Sequence, residues 1–456
     1  MKTPTTGILT RGGPGGYRSC FFKIAIPGIY VYIYTGMTLH TSLSLCVRLL
    51  NMAGLWPPAS ARHWLTPAGL LYRLYTAVMV APTWHILLPE AAGLVHFGGD
   101  MKAATEDMCL LSAFVTTSYK LLVILLRRTQ IVRFVEALDA RVTAMAAESA
   151  EARAVVRRRD LWSRRLALFM VIQSTSVAVI WSVNSLRIGL TKGSGLRTLP
   201  VISWYPYNME VWSNYEVTFF TQMVALVTAA FCNRSCDILI ITLMTQISSL
   251  LEMVNLKFRD VSKIDQSPAT RNTKKGYRNY MPHSTASVFS SSFGRNGVLE
   301  PASTIHSENH SEAEMYNSLA RCIQQHQEII SFAEELEKLM NDVLLVDFLC
   351  CMIVTCSTLY VSTSANENFG DMLSHFGYLV AMTYPLLLYC LSAHDIKEQS
   401  EQVCMSAYCS PWPQATKGYR RSLCIVMCRA QRPLTLTAGK FYVVSRATFL
   451  TVDVSA

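Results

Sequence analysis

The sequence predicts an all-α integral membrane protein with seven transmembrane helices, a cytoplasmic amino terminus and a cytoplasmic helical anchor region. Three observations carry that reading. Of 456 residues, 51% are apolar and only 16% charged, against roughly 25% charged in ordinary soluble domains. The apolar residues gather in runs of about 20, the helix length that crosses a hydrocarbon layer about 30 Å thick. Lys and Arg fall almost entirely in alternate segments between those runs, the pattern that fixes orientation during insertion. That placement accounts for the formal charge of +10 by topology and excludes a nucleic-acid partner.

Seven spans follow in order. The first runs from about Gly69 to Leu88, with Pro82 as an expected kink. The second, about Met108 to Leu126, stops at Arg127-Arg128. The third covers about Leu166 to Leu186. The fourth, about Trp212 to Leu243, is too long for one crossing and is expected to continue beyond the membrane as helix. The fifth is about Val343 to Thr363 and the sixth about Phe376 to Ser392. The seventh begins near Leu434 and has run to Val452 when the chain ends at Ala456.

Residues 1–67, 127–165, 246–342 and 394–433 hold six, ten, ten and six Lys or Arg. The alternate segments 89–107, 187–212 and 366–375 hold one, three and none. The cationic side is retained in the cytoplasm. The amino terminus is therefore expected inside and the carboxyl terminus outside, the reverse of a G-protein-coupled receptor. The expected organisation is a cytoplasmic segment 1–67, spans one to four over 68–245, cytoplasmic helical extensions over 246–342, spans five and six over 343–393, an anchor segment 394–433 and the seventh span over 434–456.

Two stretches stand apart. Residues 21–46 are apolar, but Pro27, Gly28, Gly36, His40, Thr41, Ser42 and Ser44 interrupt them, which favours an interfacial element over an eighth span. Residues 261–313 are rich in Ser, Asn, Thr, Lys and Arg and bury too little apolar surface to fold, so they read as a disordered insertion. Beyond them, Leu319, Ile323, Ile330, Ala333, Leu336 and Met340 recur at helical spacing and lead into the fifth span. Ile247, Leu250, Leu251 and Val254 continue the fourth. With residues 396–432 these elements predict a helical platform beneath the membrane.

Four motifs resemble the insect odorant receptor family. Gly54-Leu55-Trp56-Pro57-Pro58 precedes the first span. His326-Gln327-Glu328-Ile329-Ile330 leads through Phe332 and Leu336 into the fifth. Ser400 to Trp412 is similar to the block after the sixth span, and Arg432 to Tyr442 to the signature that opens the seventh. The likeness covers about residues 47–260 and 314–452. It implies a subunit of a tetrameric ligand-gated cation channel, in which an odour-tuned chain assembles with a shared co-receptor in the plasma membrane of a sensory neuron dendrite. It also implies an odorant pocket among the outer half-spans, a seventh helix lining the pore, and cytoplasmic extensions of helices four to seven anchoring the subunits. Gly439-Lys440-Phe441-Tyr442 looks more like a tuned receptor than the co-receptor. Two features depart from the family pattern: Asp453-Val454-Ser455-Ala456 stands where the helix would run on, so the pore helix is expected to be incomplete, and the 261–313 insertion is longer than usual.

A volatile odorant calls for a closed apolar pocket with one or two orienting polar groups. The outer half-spans supply Phe114, Ser174, Ala178, Trp181, Trp212, Tyr215, Phe219, Tyr360 and Tyr378. Ser174, Ala178 and Trp181 share one helical face. Aromatics at span ends also form interfacial belts, which competes most strongly for Trp212 and Tyr215. Among ionisable residues in the spans, Arg73, Lys120 and Asp347 lie within reach of a boundary. Arg234 and Asp237, three apart, are placed to pair. Asp347 is expected to meet a basic group in the anchor or between subunits. Thr437, Lys440, Tyr442 and Ser445 belong to the pore-lining segment that the resemblance implies, with Lys440 and Arg446 near its cytoplasmic entry.

The fourteen cysteines sit mostly in apolar runs, where a thiol acts as a small hydrophobe. Cys404, Cys409, Cys424 and Cys428 approach zinc spacing but fall in packed helical segments, so no metal is expected. No catalytic motif and no cofactor site is present. The alternatives are a gustatory-type chemoreceptor and a G-protein-coupled receptor. The first lacks the Pro-Leu-Thr signature as written here, and the second requires an external amino terminus. A secondary transporter should show repeated halves, and none is found.

Overall fold

The computed structural model describes residues 22–26, 29–33, 41–58, 66–96, 101–191, 199–201, 203–209, 211–264, 302–363, 369–410 and 412–448. Among the described residues, a hairpin of β1 (Phe22–Ile26) and β2 (Ile29–Ile33) precedes nine α-helices: α1 Thr41–Met52, α2 Pro67–His96, α3 Met101–Leu126, α4 Arg128–Glu148, α5 Ala150–Thr191, α6 Trp212–Ile264, α7 Ala302–Thr363, α8 Phe369–Tyr408 and α9 Lys417–Ala430. A second hairpin, β3 (Thr437–Ala438) and β4 (Tyr442–Val443), follows.

Six of these helices, α2, α3, α5, α6, α7 and α8, are long and apolar enough to cross a membrane. They coincide with the first six spans read from the sequence. At 1.5 Å per residue, the 53 residues of α6 extend about 80 Å, well past a hydrocarbon layer of about 30 Å. Its run from Cys232 to Leu251 is buried throughout, so α6 is the axial post of the bundle. α2 and α5 are peripheral: Leu70, Leu71, Leu74, Val78 and Leu88 on one, and Leu168, Phe169, Ile172, Ile180 and Val183 on the other, are exposed. In lipid, unlike in water, such faces are at no disadvantage.

At the arginine-rich end of the bundle the helices run on into a second layer. Residues 127–165, expected as a connecting loop, are instead α4 and the first turns of α5. Ile131, Phe134, Val135, Leu138, Val142 and Met145 form the buried stripe of α4. Arginines of this segment are tied to other helices: Arg127, just before α4, to Asp342 at 2.9 Å, Arg141 on α4 to Glu328 at 2.7 Å, and Arg159 on α5 to Glu252 at 2.7 Å and to Asp395. One continuous core joins α1, α4 and the lower halves of α6, α7 and α8 to α9. α9 opens on Thr416, whose hydroxyl caps the Tyr419 N–H at 3.4 Å. The helical platform expected below the spans is present as this packed layer.

Of residues 21–46, read as an interfacial element rather than a span, the structure describes β1, β2 and the start of α1, whose 12 residues are too short to cross; the rest lie outside the described residues. Two expectations change. In the 261–313 insertion, α6 continues to Ile264 and helical backbone resumes at Ala302; the part between lies outside the described residues. The seventh helix does not begin at Leu434. Gly439 and Lys440 both take positive φ, 62° and 61°, which no right-handed helix allows and which makes a type I′ hairpin turn. Helical backbone starts only at Arg446, and residues 449–456 lie outside the described residues.

His326, buried on α7 in the lower layer, gives this layer a pH dependence. Burial, reinforced by the positive Arg429, lowers its pKa to about 4 from 6.5. Between those values the unfolded chain binds a proton that the folded chain refuses, so stability is full above about 6.5 and is lost as pH falls toward 4. Acidifying detergent-purified protein from pH 7 to 5 should cost about 2 kcal/mol from this residue. The fall in thermal midpoint should shrink in His326→Gln.

Candidate functional site

Two cavities lie one above the other inside the bundle. The upper, a chamber of about 90 Å³, is walled by α3, α5, α6 and α8. Alanines make the space: Ala113, Ala178, Ala229, Ala230 and Ala381 all line it, and each leaves a gap where neighbouring helices carry larger side chains. Phe114, Trp181, Leu226, Tyr378 and Met382 supply apolar surface. The Trp181 and Tyr378 rings stand 6.3 Å apart at 50°. Both are held from behind. Trp181 donates its indole N–H to the Pro200 carbonyl at 2.9 Å, and the Tyr378 hydroxyl donates to the Cys109 carbonyl at 2.9 Å. The volume is several times the roughly 10–15 Å³ that one water needs, and so suits a compact organic molecule.

Phe114, Ser174, Ala178, Trp181 and Tyr378, all expected from the sequence, meet in this chamber. The others do not. Phe219 is seven residues before Leu226 and so shares its face about 10 Å higher. Val201 of the 199–209 segment takes the space between: its N–H donates to Gln222 Oε1 at 3.1 Å and it is buried against Phe114. Tyr215 stacks on Phe219 at 5.9 Å above that plug. Tyr360 is exposed. Thr358, two residues earlier, faces α3 through Cys109, and two helical steps turn Tyr360 about 200° away. Trp212 opens α6, and its side chain lies outside the described residues. The sequence reading missed Leu226, Asn233, Arg234 and Met382. Their spacing on α6, with 226, 230 and 233 on one stripe, was available, but the 223–232 stretch is almost wholly apolar and gives no sign of which stripe faces the chamber.

Directly beneath is a cavity of about 40 Å³ that shares Ala113, Asn233, Arg234 and Met382 with the chamber. Its walls carry four charges. Lys120 Nζ lies 2.5 Å from Asp237 and 2.8 Å from Asp347, and donates to Asn233 Oδ1 at 3.1 Å. Arg234 Nη1 reaches Asp237 at 2.7 Å, and Nη2 donates to the Ala381 carbonyl at 3.2 Å. The Tyr389 hydroxyl donates to Asp237 at 2.6 Å. The Arg234–Asp237 pairing expected from spacing is present. Lys120, expected near a boundary, instead lies at the centre of this cluster with 3% exposure. Asp347 meets Lys120 of its own chain, a basic partner as expected but inside the bundle.

Below, α7 holds the second hairpin. Thr437 Oγ1 donates to Glu337 at 2.5 Å, and Asn341 Oδ1 accepts the Lys440 N–H at 3.1 Å. A Cβ on Gly439 would stand 2.7 Å from Leu345. Tyr442 is exposed, and the Ser445 and Thr448 hydroxyls are 3.0 Å apart. Among the described residues, no group of three or more His, Cys, Asp or Glu gathers to hold a metal.

These features define a polytopic helical membrane protein with a small chamber between its spans. The family described as 7tm odorant receptor matches residues 100–454. Odorant receptor 83a of Drosophila melanogaster is 28% identical over 265 residues, covering 54% of this chain and 55% of that one. The putative odorant receptor 85e of the same species is 20% identical over 407 residues, covering 82% and 80%. Odorant receptor 10 of Aedes albopictus is 26% identical over 122 residues, only 32% of its own length. The fold aligns with the olfactory receptor OR5 of Machilis hrabei, solved in complex with eugenol, at a TM-score of 0.70 and 16% identity, covering 91% of this chain and 94% of that one. The chain belongs to the insect odorant receptor family, a family of membrane receptors and not of enzymes.

Two outcomes test the geometry. Lys120→Met leaves Asp237 and Asp347 with Arg234 alone, and breaking such a buried set costs about 3–5 kcal/mol; yield and thermal midpoint in detergent should collapse. Adding Asp347→Leu restores neutrality and should recover most of the loss. In the hairpin, Gly439→Ala forces a Cβ against Leu345 at positive φ, a strain of about 1–3 kcal/mol. A lowered thermal midpoint should report it, with Lys440→Gly moving the other way.

Proposed function

We propose that this chain is an odour-tuned subunit of a heteromeric ligand-gated cation channel, assembled with a co-receptor, as a tetramer, in the plasma membrane of a sensory neuron dendrite. The observation that carries the reading is the chamber: mostly apolar, sparsely polar and set within the spans of an odorant receptor family member. A molecule that fits it would bind one arrangement of α3, α5, α6 and α8 better than another and shift the channel toward opening by that difference. The Gly-Lys-Phe-Tyr sequence at 439–442 supports a tuned subunit, and eugenol in the Machilis hrabei receptor supports a small volatile ligand. The basic segments place the amino terminus and the lower layer in the cytoplasm, leaving the chamber nearer the outer leaflet. Thr437, Lys440, Tyr442 and Ser445 belong to the approach to the pore, and Asp347 to the cluster that ties it to the chamber. Lipid covers α2 and α5.

Co-expression with a co-receptor and current recording test this. Odour-evoked current should appear, and Ala178→Leu, which fills the chamber, should raise the half-maximal concentration at least about tenfold with unchanged surface expression. An epitope at residue 1 should stain only permeabilised cells; staining of intact cells would return a G-protein-coupled receptor to favour.

A further inference from the structure

The chamber's floor is the roof of the charged cluster, and two of the four residues common to both, Asn233 and Arg234, are polar. Asn233 accepts from Lys120 through Oδ1, which leaves its amide NH₂ as the donor end. Arg234 is 3% exposed. Two of its nitrogens are committed, Nη1 to Asp237 and Nη2 to the Ala381 carbonyl, while Nε has no protein acceptor. A buried guanidinium N–H without an acceptor is costly, and a partner that satisfies it is correspondingly favoured. Of the other polar side chains in the chamber wall, Thr117, Trp181 and Tyr378 turn their donors to backbone carbonyls, and Ser174 adds one hydroxyl from α5. The polar end of the chamber therefore offers hydrogen-bond donors from α6 to whatever occupies it.

The geometry points to an odorant that carries a neutral hydrogen-bond acceptor on a compact apolar body, an ester, ketone, aldehyde or lactone, seated with its oxygen toward Arg234 and Asn233. This deepens the odour-receptor reading and rests on it. A carboxylate is the weaker match, because Asp237 already stands on Arg234 and, with Asp347, balances the two cations of the cluster. A pure hydrocarbon fills the walls and leaves the floor unsatisfied. Arg234 is on this view a specificity-determining residue.

The test uses the full chain co-expressed with a co-receptor and a panel of acceptor-bearing odorants of about six to ten carbons, each paired with the hydrocarbon of equal length and with the matching carboxylate. On the wild type, the acceptor-bearing member of each active pair should act at least about tenfold more potently than its hydrocarbon. Arg234→Lys keeps the charge beside Asp237 and removes Nε; it should weaken the acceptor-bearing compound toward the hydrocarbon and leave the hydrocarbon where it was. Hydrocarbons or carboxylates equal to their neutral oxygenated partners on the wild type would overturn the assignment without any variant, as would an Arg234→Lys shift shared by both members of a pair. Silence across the panel, with the co-receptor still opening to its own agonist, would instead overturn the odour-receptor reading beneath it.

Discussion

Four charges buried between α3, α6, α7 and α8 can exist only as a neutral set. Removing an ion from water costs several kcal/mol even after relaxation, and only close opposite charges and further hydrogen bonds offset that. Lys120 and Arg234 against Asp237 and Asp347, with Asn233 and Tyr389 filling remaining positions, meet the requirement. Each helix contributes at least one partner, so the cluster fixes the rotation of all four at one level of the bundle. A chamber just above and a packed layer just below then inherit their registers from it.

That level also joins two ends of the molecule. Arg234 stands in the chamber wall, and Asp347 on α7 stands two turns beyond Asn341, which holds the hairpin at Lys440. A ligand that changes the balance among Arg234, Asp237 and Lys120 acts on the same helix that seats the hairpin. Contiguity alone does not transmit a signal; an element with two discrete arrangements that both sites bias is what transmits one.

Periodicity and charge made the six spans and the lower layer legible, because apolar length and Lys/Arg placement act locally and leave marks in order along the chain. Five chamber residues were legible for a related reason: Ser174, Ala178 and Trp181 share a face, and Phe114 and Tyr378 sit at the matching depth. Depth without phase fails. Tyr360 lies at the right height on the wrong face, and Phe219 on the right face above the Val201 plug. Nor does a buried ion pair between distant helices announce itself, although the i, i+3 pair of Arg234 and Asp237 does. Lys120 in the sequence is a lone cation near a boundary, and only the convergence of α6 and α7 shows that its partners are 117 and 227 residues away. The 434–444 segment misled by composition: its apolar residues fit a helix, but Thr437 and the Gly439-Lys440 turn bind it to α7 as a hairpin.

The chamber itself is a cost built into the fold. Alanine at five wall positions leaves about 90 Å³ unfilled, and at about 24 cal/mol per Å³ an empty apolar cavity of that size destabilises by about 2 kcal/mol. A ligand that fills it recovers the lost contacts in whichever arrangement keeps the chamber open and gains nothing in one that closes it. The recovered energy corresponds to a shift of about thirtyfold in the balance between two such arrangements. A small apolar vapour molecule needs no strong directed bond to act here, since vacancy supplies the bias and the donors at the floor decide which molecules receive it.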